Sequence, residues 1–129
     1  MILALKSDSH ALELILCNST EQKDRIERNL SRSMAKDLPK MLTEFLARNS
    51  LSLSDINGIA VYAGPGSFTG LRITHAYANA LAYALNIPIT NESGDNWLLN
   101  AAKYLSKGNT KRVITPYYGG EANITAPKK

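Results

Sequence analysis

Gly64-Pro65-Gly66-Ser67-Phe68-Thr69-Gly70-Leu71-Arg72 is the stretch on which the reading of this chain turns. It follows Ile56-Asn57-Gly58-Ile59-Ala60-Val61-Tyr62, a short apolar run that reads as a buried strand. It leads into an apolar helix expected over residues 69–85, which Asn86 can end, with Pro88 just beyond. Gly64 and Gly66 open backbone conformations closed to other residues. Ser67 or Thr69 offers a side-chain oxygen to the first turn of the helix, and free N–H groups at such a start also suit an anion. Spacing alone therefore leaves two readings, a tight capped turn or an anion-binding loop. The pattern is neither a phosphate-binding P-loop nor a dinucleotide fingerprint, and the nearest base is Arg72.

The helix after the turn carries the second signal. On a wheel, Leu71, Thr74, Ala78, Leu81, Ala82 and Leu85 form one face. Ile73, Ala76, Tyr77, Ala80, Tyr83 and Ala84 form another, nearly opposite, and only Arg72, His75 and Asn79 make a narrow polar strip. A helix that is apolar almost all round needs cover on both sides. One side can lie on the domain's own sheet. For the other, small residues at 76, 80 and 84 allow a close helix–helix approach. A partner surface and a third helix of the same chain are the two readings, and the partner is favoured by the size of the patch.

Working outward, residues 2–5 and 10–17 read as two strands around a Ser7-Asp8-Ser9 turn, and residues 23–30 as an edge strand. Residues 31–48 read as a helix with Met34, Leu38, Met41, Leu42 and Phe45 at helical spacing, and Pro39 inside it predicts a kink or a junction. Residues 87–90 read as a strand, 95–105 as a helix, and 111–115 and 122–125 as two last strands. The order is three strands, then helices and strands in alternation. It predicts an α/β layering, a mixed sheet flanked by helices, and a ribonuclease-H-like core.

Composition bounds the rest. The chain has 129 residues, 44% hydrophobic and 20% charged, which suits one domain with a real core. It holds no apolar run long enough for a bilayer. Its first residues lack the basic start of a secretion signal, so the cytoplasm is the expected compartment. Cys17 is the one cysteine and reads as a buried small hydrophobe. The net charge of +4 is spread along the chain without an RNA-binding motif. His10 and His75 are the only histidines, and neither has ligand-type neighbours at metal spacing. They read as surface or helix-strip residues. Ser67 is not in a G-x-S-x-G elbow. No catalytic residue and no metal site are expected.

The run from Ile59 to Ile73, above all Gly64 to Arg72, resembles the hallmark of the TsaB (YeaZ) family, I-A-V-x-x-G-P-G-S-F-T-G-L-R-I. Met1-Ile2-Leu3-Ala4-Leu5, Asp37-Leu38-Pro39, Ser54-Asp55-Ile56 and Ala82-Tyr83-Ala84-Leu85-Asn86-Ile87-Pro88 resemble further family segments. The resemblance implies a ribonuclease-H-like lobe of the actin-like and sugar-kinase-like superfamily. It implies a non-catalytic subunit that pairs with a TsaD-like enzyme through its first two long helices, in threonylcarbamoylation of tRNA adenosine. The implied interface is Met34, Leu38, Met41 and Phe45 with Ile73, Ala76, Tyr77, Ala80 and Ala84.

ATP and metal are expected on the partner, with a TsaE-like ATPase in the larger assembly and only indirect contact with tRNA. A weak nucleotide-binding ATPase using residues 64–72 and a self-associating homodimer are the alternatives. Lys6 stands where the family carries the aspartate of Asp-Thr-Ser, which argues against ATP hydrolysis. Residues 1–108 are expected as the core of one lobe. Residues 109–129 are expected as the start of a second lobe, with Thr115-Pro116-Tyr117-Tyr118-Gly119-Gly120-Glu121 in place of the family's D-A-R-x-G-E hairpin.

Overall fold

The apolar opening run becomes the centre of the sheet. In the computed structural model, which describes residues 1–8 and 10–117, β1 (Ile2–Asp8) pairs antiparallel with β2 (Ala11–Cys17). On its other side it pairs parallel with β4 (Gly58–Tyr62). β3 (Gln22–Asn29) extends the antiparallel side and β5 (Ile89–Glu92) the parallel side, so the five strands run β3-β2-β1-β4-β5. The ladder between β1 and β2 continues to Asp8 opposite Ala11. Ser7 and Asp8 are therefore strand, not the expected turn: Ser7 lies opposite Leu12 and is fully buried.

Successive side chains point to opposite faces of a strand, and both faces of the central strands are covered. Leu3 and Leu5 of β1 join Leu12, Leu14, Leu16, Ile59 and Val61 in the larger core. That core lies under α1 (Met34–Arg48) and α2 (Phe68–Leu85). Ile2 and Ala4 point the other way, with Ile15, Cys17 and Ala60, against Trp97, Ala101, Ala102 and Leu105 of α3 (Trp97–Ser106). Cys17 is buried as expected, and burial pushes its thiol pKa up.

α1 begins after a 3-10 turn, Ser31–Ser33, and continues as one helix past Pro39. The junction expected at the proline is therefore not observed; the tighter turn precedes it. Arg48 donates to Asp24 of β3 from Nε at 2.9 Å and from Nη2 at 2.7 and 2.8 Å, and Asn49 adds a bond at 2.9 Å. This ties the end of α1 to the sheet edge, and the Arg48 guanidinium holds the Asp24 carboxyl below its usual pKa.

Residues 111–115 do not form the expected strand, and residues 122–125 lie outside the described part. The backbone of the 109–117 segment is bonded partly to backbone, with Lys111 N–H donating to the Ile89 carbonyl at 2.8 Å, and partly to side chains. Asn79 of α2 accepts from the Ile114 N–H at 3.0 Å and donates to its carbonyl at 2.9 Å. Asn91 of β5 donates to the Thr115 carbonyl at 2.8 Å. The two asparagines thus satisfy backbone groups of residues 114 and 115 that no strand ladder pairs. As a strap, the segment buries Ile114 against the larger core.

Candidate interface on the paired helices

The hallmark turn is built by close approaches. Gly64 has φ +110°, a region L side chains rarely adopt, and the Tyr117 carbonyl stands where its Cβ would go. The Tyr117 N–H meanwhile donates to the Ala63 carbonyl at 2.7 Å, so the strap closes over this turn. The Ser67 hydroxyl accepts from the Gly70 N–H at 3.4 Å and caps α2. A Cβ on Gly70 would lie 3.0 Å from the Ser7 side chain, so the glycine lets the first turn of α2 sit directly on β1. Gly64→Ala is expected to cost about 3 kcal/mol, combining a forbidden φ with a backbone clash. Urea unfolding monitored by circular dichroism measures it.

The apolar residues of α1 and α2 divide differently from the expected interface. Met34, Leu38, Met41 and Phe45 are buried in the chain's own core, at 2, 0, 2 and 1% exposure. They cannot all form a free surface, because α1 has a single apolar stripe and the sheet takes it. On α2 the inner face is Gly70, Leu71, Thr74, His75, Ala78 and Ala82. Ala76, Ala80 and Ala84 are exposed, Ile73 and Tyr77 are half-buried, and Tyr83 is 90% exposed. Between the helices runs an open groove of about 510 Å³, lined by Ala35, Leu38, Thr69, Arg72, Ile73, Ala76 and Tyr77. Of the four α1 residues, Leu38 alone is in the lining of this groove. Ala35, exposed on α1, also lines this groove, although it is not among the interface residues expected from the sequence. Because Pro39 has no N–H, it cannot donate to the Ala35 carbonyl.

His75 departs from the expected polar strip. It is 2% exposed, on the inner side of α2. Its Nδ1 lies 2.8 Å from the Leu71 carbonyl and its Nε2 3.3 Å from the Asn91 amide nitrogen. Both contacts are satisfied when Nδ1 carries the proton and Nε2 accepts. Lys111 of the strap donates to the Asn91 side-chain oxygen at 2.7 Å.

Burial first, and the nearby Lys111 charge, push the His75 pKa down; the Leu71 carbonyl only partly opposes this. Above the ordinary histidine value of about 6.5, both folded and unfolded chains hold a neutral imidazole. Below it the unfolded chain takes up a proton that the folded chain resists, so stability falls as pH falls. Urea midpoints at pH 7.5 and pH 5.5 should show this loss, and His75→Gln should reduce it.

No group of His, Cys, Asp and Glu among the described residues is placed to hold a metal ion. Lys6 reaches over the Tyr62 ring, 4.7 Å from its centre. Among the described residues no helix is long and apolar enough to cross a membrane.

A mixed sheet with an antiparallel meander, parallel crossovers and a glycine turn into a sheet-covering helix defines a ribonuclease-H-like lobe of the actin-like class. Residues 18–120 match the family model described as TsaD, tRNA N6-adenosine threonylcarbamoyltransferase. The chain belongs to this family, in its TsaB (YeaZ) branch. It is 33% identical over 88 residues to the tRNA threonylcarbamoyladenosine biosynthesis protein TsaB of Haemophilus influenzae, covering 68% of this chain and 37% of that protein. It is 33% identical over 111 residues to the tRNA N6-adenosine threonylcarbamoyltransferase of Sulfurisphaera tokodaii, covering 74% of this chain and 31% of that one. The solved structure of YeaZ from Pseudomonas aeruginosa superposes with a TM-score of 0.65 at 29% identity, over 83% of this chain and 49% of that one. The chain thus spans half the length of these relatives or less.

Proposed function

We propose that this chain is a non-catalytic subunit that pairs with a TsaD-like enzyme and activates it in threonylcarbamoylation of tRNA adenosine. The observation that carries the reading is the outer face of α2. Ala76, Ala80 and Ala84 stand exposed on successive turns beside an apolar groove, with Ile73 and Tyr77 half-buried at its edge. Residues this small let a second helix approach closely, and an exposed apolar strip of this kind gains by being covered. The family relationship supports a partner in the same tRNA modification.

In this reading ATP and metal belong to the partner, a TsaE-like ATPase joins the larger complex, and tRNA is met through the partner, in the cytoplasm. Size-exclusion chromatography with light scattering tests the pairing, on this chain alone and mixed with the TsaD-like protein of the same genome. A stoichiometric heterocomplex is expected. If the mixture elutes as two separate species, the reading fails, and the turn at residues 64–72 becomes the place to look, with nucleotide or phosphate as the ligand. A dimer of this chain alone that dissolves on adding the partner would show that both use the same face.

A further inference from the structure

We infer that the partner presents carboxylates to one end of the α1–α2 groove, and that this charge pairing sets the direction in which it docks; the inference rests on the pairing proposed above. The groove is chemically uneven along its length. At the N-terminal end of both helices lies a smaller hollow of about 190 Å³, lined by His10, Arg32, Met34, Ser67, Thr69, Gly70 and Ile73. Thr69 and Ile73 line both openings, so the two adjoin. The charge there is positive. Arg32 is exposed and makes no ion pair among the described residues. Arg72 borders the groove with its guanidinium 5.3 Å from the Phe68 ring centre. No aspartate or glutamate among the described residues lines either opening.

The far end differs. The cations near the C-terminal end of α1 are already matched, Arg48 by Asp24 at 2.7 Å and Arg28 by Glu44 at 3.2 Å. α2 has no charged residue after Arg72 and no carboxylate anywhere. The exposed charges of α1 are Lys36, Lys40, Glu44 and Arg48, the last two already paired, and Asp37 in its first turn is half-buried. The N-terminal ends of both helices also carry the positive ends of their dipoles.

An apolar groove lined by alanines accepts a helix equally well in either direction, because dispersion and burial are not directional. A cationic patch at one end removes that degeneracy. A partner whose carboxylates reach Arg32 and Arg72 gains on encounter and in the bound state, whereas the reversed arrangement leaves both sets of charges unmatched.

The test is binding of this chain to the TsaD-like protein by isothermal titration calorimetry, at 50 and 500 mM NaCl. Wild type should bind more weakly at high salt. The double variant Arg32→Glu, Arg72→Glu should lose roughly thirtyfold or more in affinity at 50 mM, and the gap should narrow at 500 mM as the charges are screened. Arg32→Lys, Arg72→Lys keeps the charge and should bind like wild type. Its new amines should couple through a carbodiimide to aspartate or glutamate of the partner, read by mass spectrometry. Thermal melts by circular dichroism confirm that both variants are folded. A wild-type complex whose affinity ignores salt and the charge reversal overturns this inference and leaves the pairing intact. No complex with wild type overturns the pairing and this inference together.

Discussion

Ala76→Glu is expected to leave the fold in place and to weaken partner binding at least a hundredfold. Ala76 is exposed and lines the groove between α1 and α2. Its methyl is replaced by a longer, charged side chain where no core atom is displaced, so stability should shift by no more than about 0.5 kcal/mol. The effect on pairing is much larger. A close helix–helix contact has no room for the added atoms, and an interfacial carboxylate facing apolar atoms loses its hydration without a partner. In the direction inferred above it also faces the side of the partner that carries carboxylates. Calorimetric titration, with a thermal melt of the free variant, separates the two effects. Binding that survives the substitution would move the interface elsewhere.

Phe45→Ala should do the opposite, costing about 3–5 kcal/mol of stability, as large-to-small changes at packed aromatic sites do. Phe45 is 1% exposed and belongs to the core that α1 forms with the sheet. For a chain of this size that corresponds to a drop in melting temperature of roughly 10–20 °C. If the variant is still folded at 15 °C, its affinity for the partner should be near wild type, because the lost ring faced inward. An unchanged melting temperature with abolished binding would place Phe45 at the interface after all and contradict the burial described here.

The pair of predictions marks where reading the residues stops. Met34, Leu38, Met41 and Phe45 recur at helical spacing, and that pattern shows that α1 buries one stripe. It does not show against what. A helix with a single stripe can cover a sheet or a partner, and here the larger core of β1, β2 and β4 takes it. α2 was more legible because it has two apolar faces, and a sheet can take only one. His75 shows the opposite case. Its wheel position beside Arg72 and Asn79 suggested a polar strip, but the Asn91 amide, far away in sequence and itself held by Lys111, bonds its Nε2 and lets the ring be buried.

The sequence by itself determined the local chemistry: the strand, glycine turn and capped helix around residues 58–85, the apolar alternation of β1 and β2, and the family to which they belong. These depend on backbone preferences and side-chain periodicity within about twenty residues. Only the tertiary structure decided which apolar face stayed outside. It also decided that the 109–117 segment is a strap and not a strand, and that Gly64 is needed for the Tyr117 carbonyl. Each of these depends on groups far apart in sequence competing for the same space and the same hydrogen bonds, and that competition is settled only when the chain is folded.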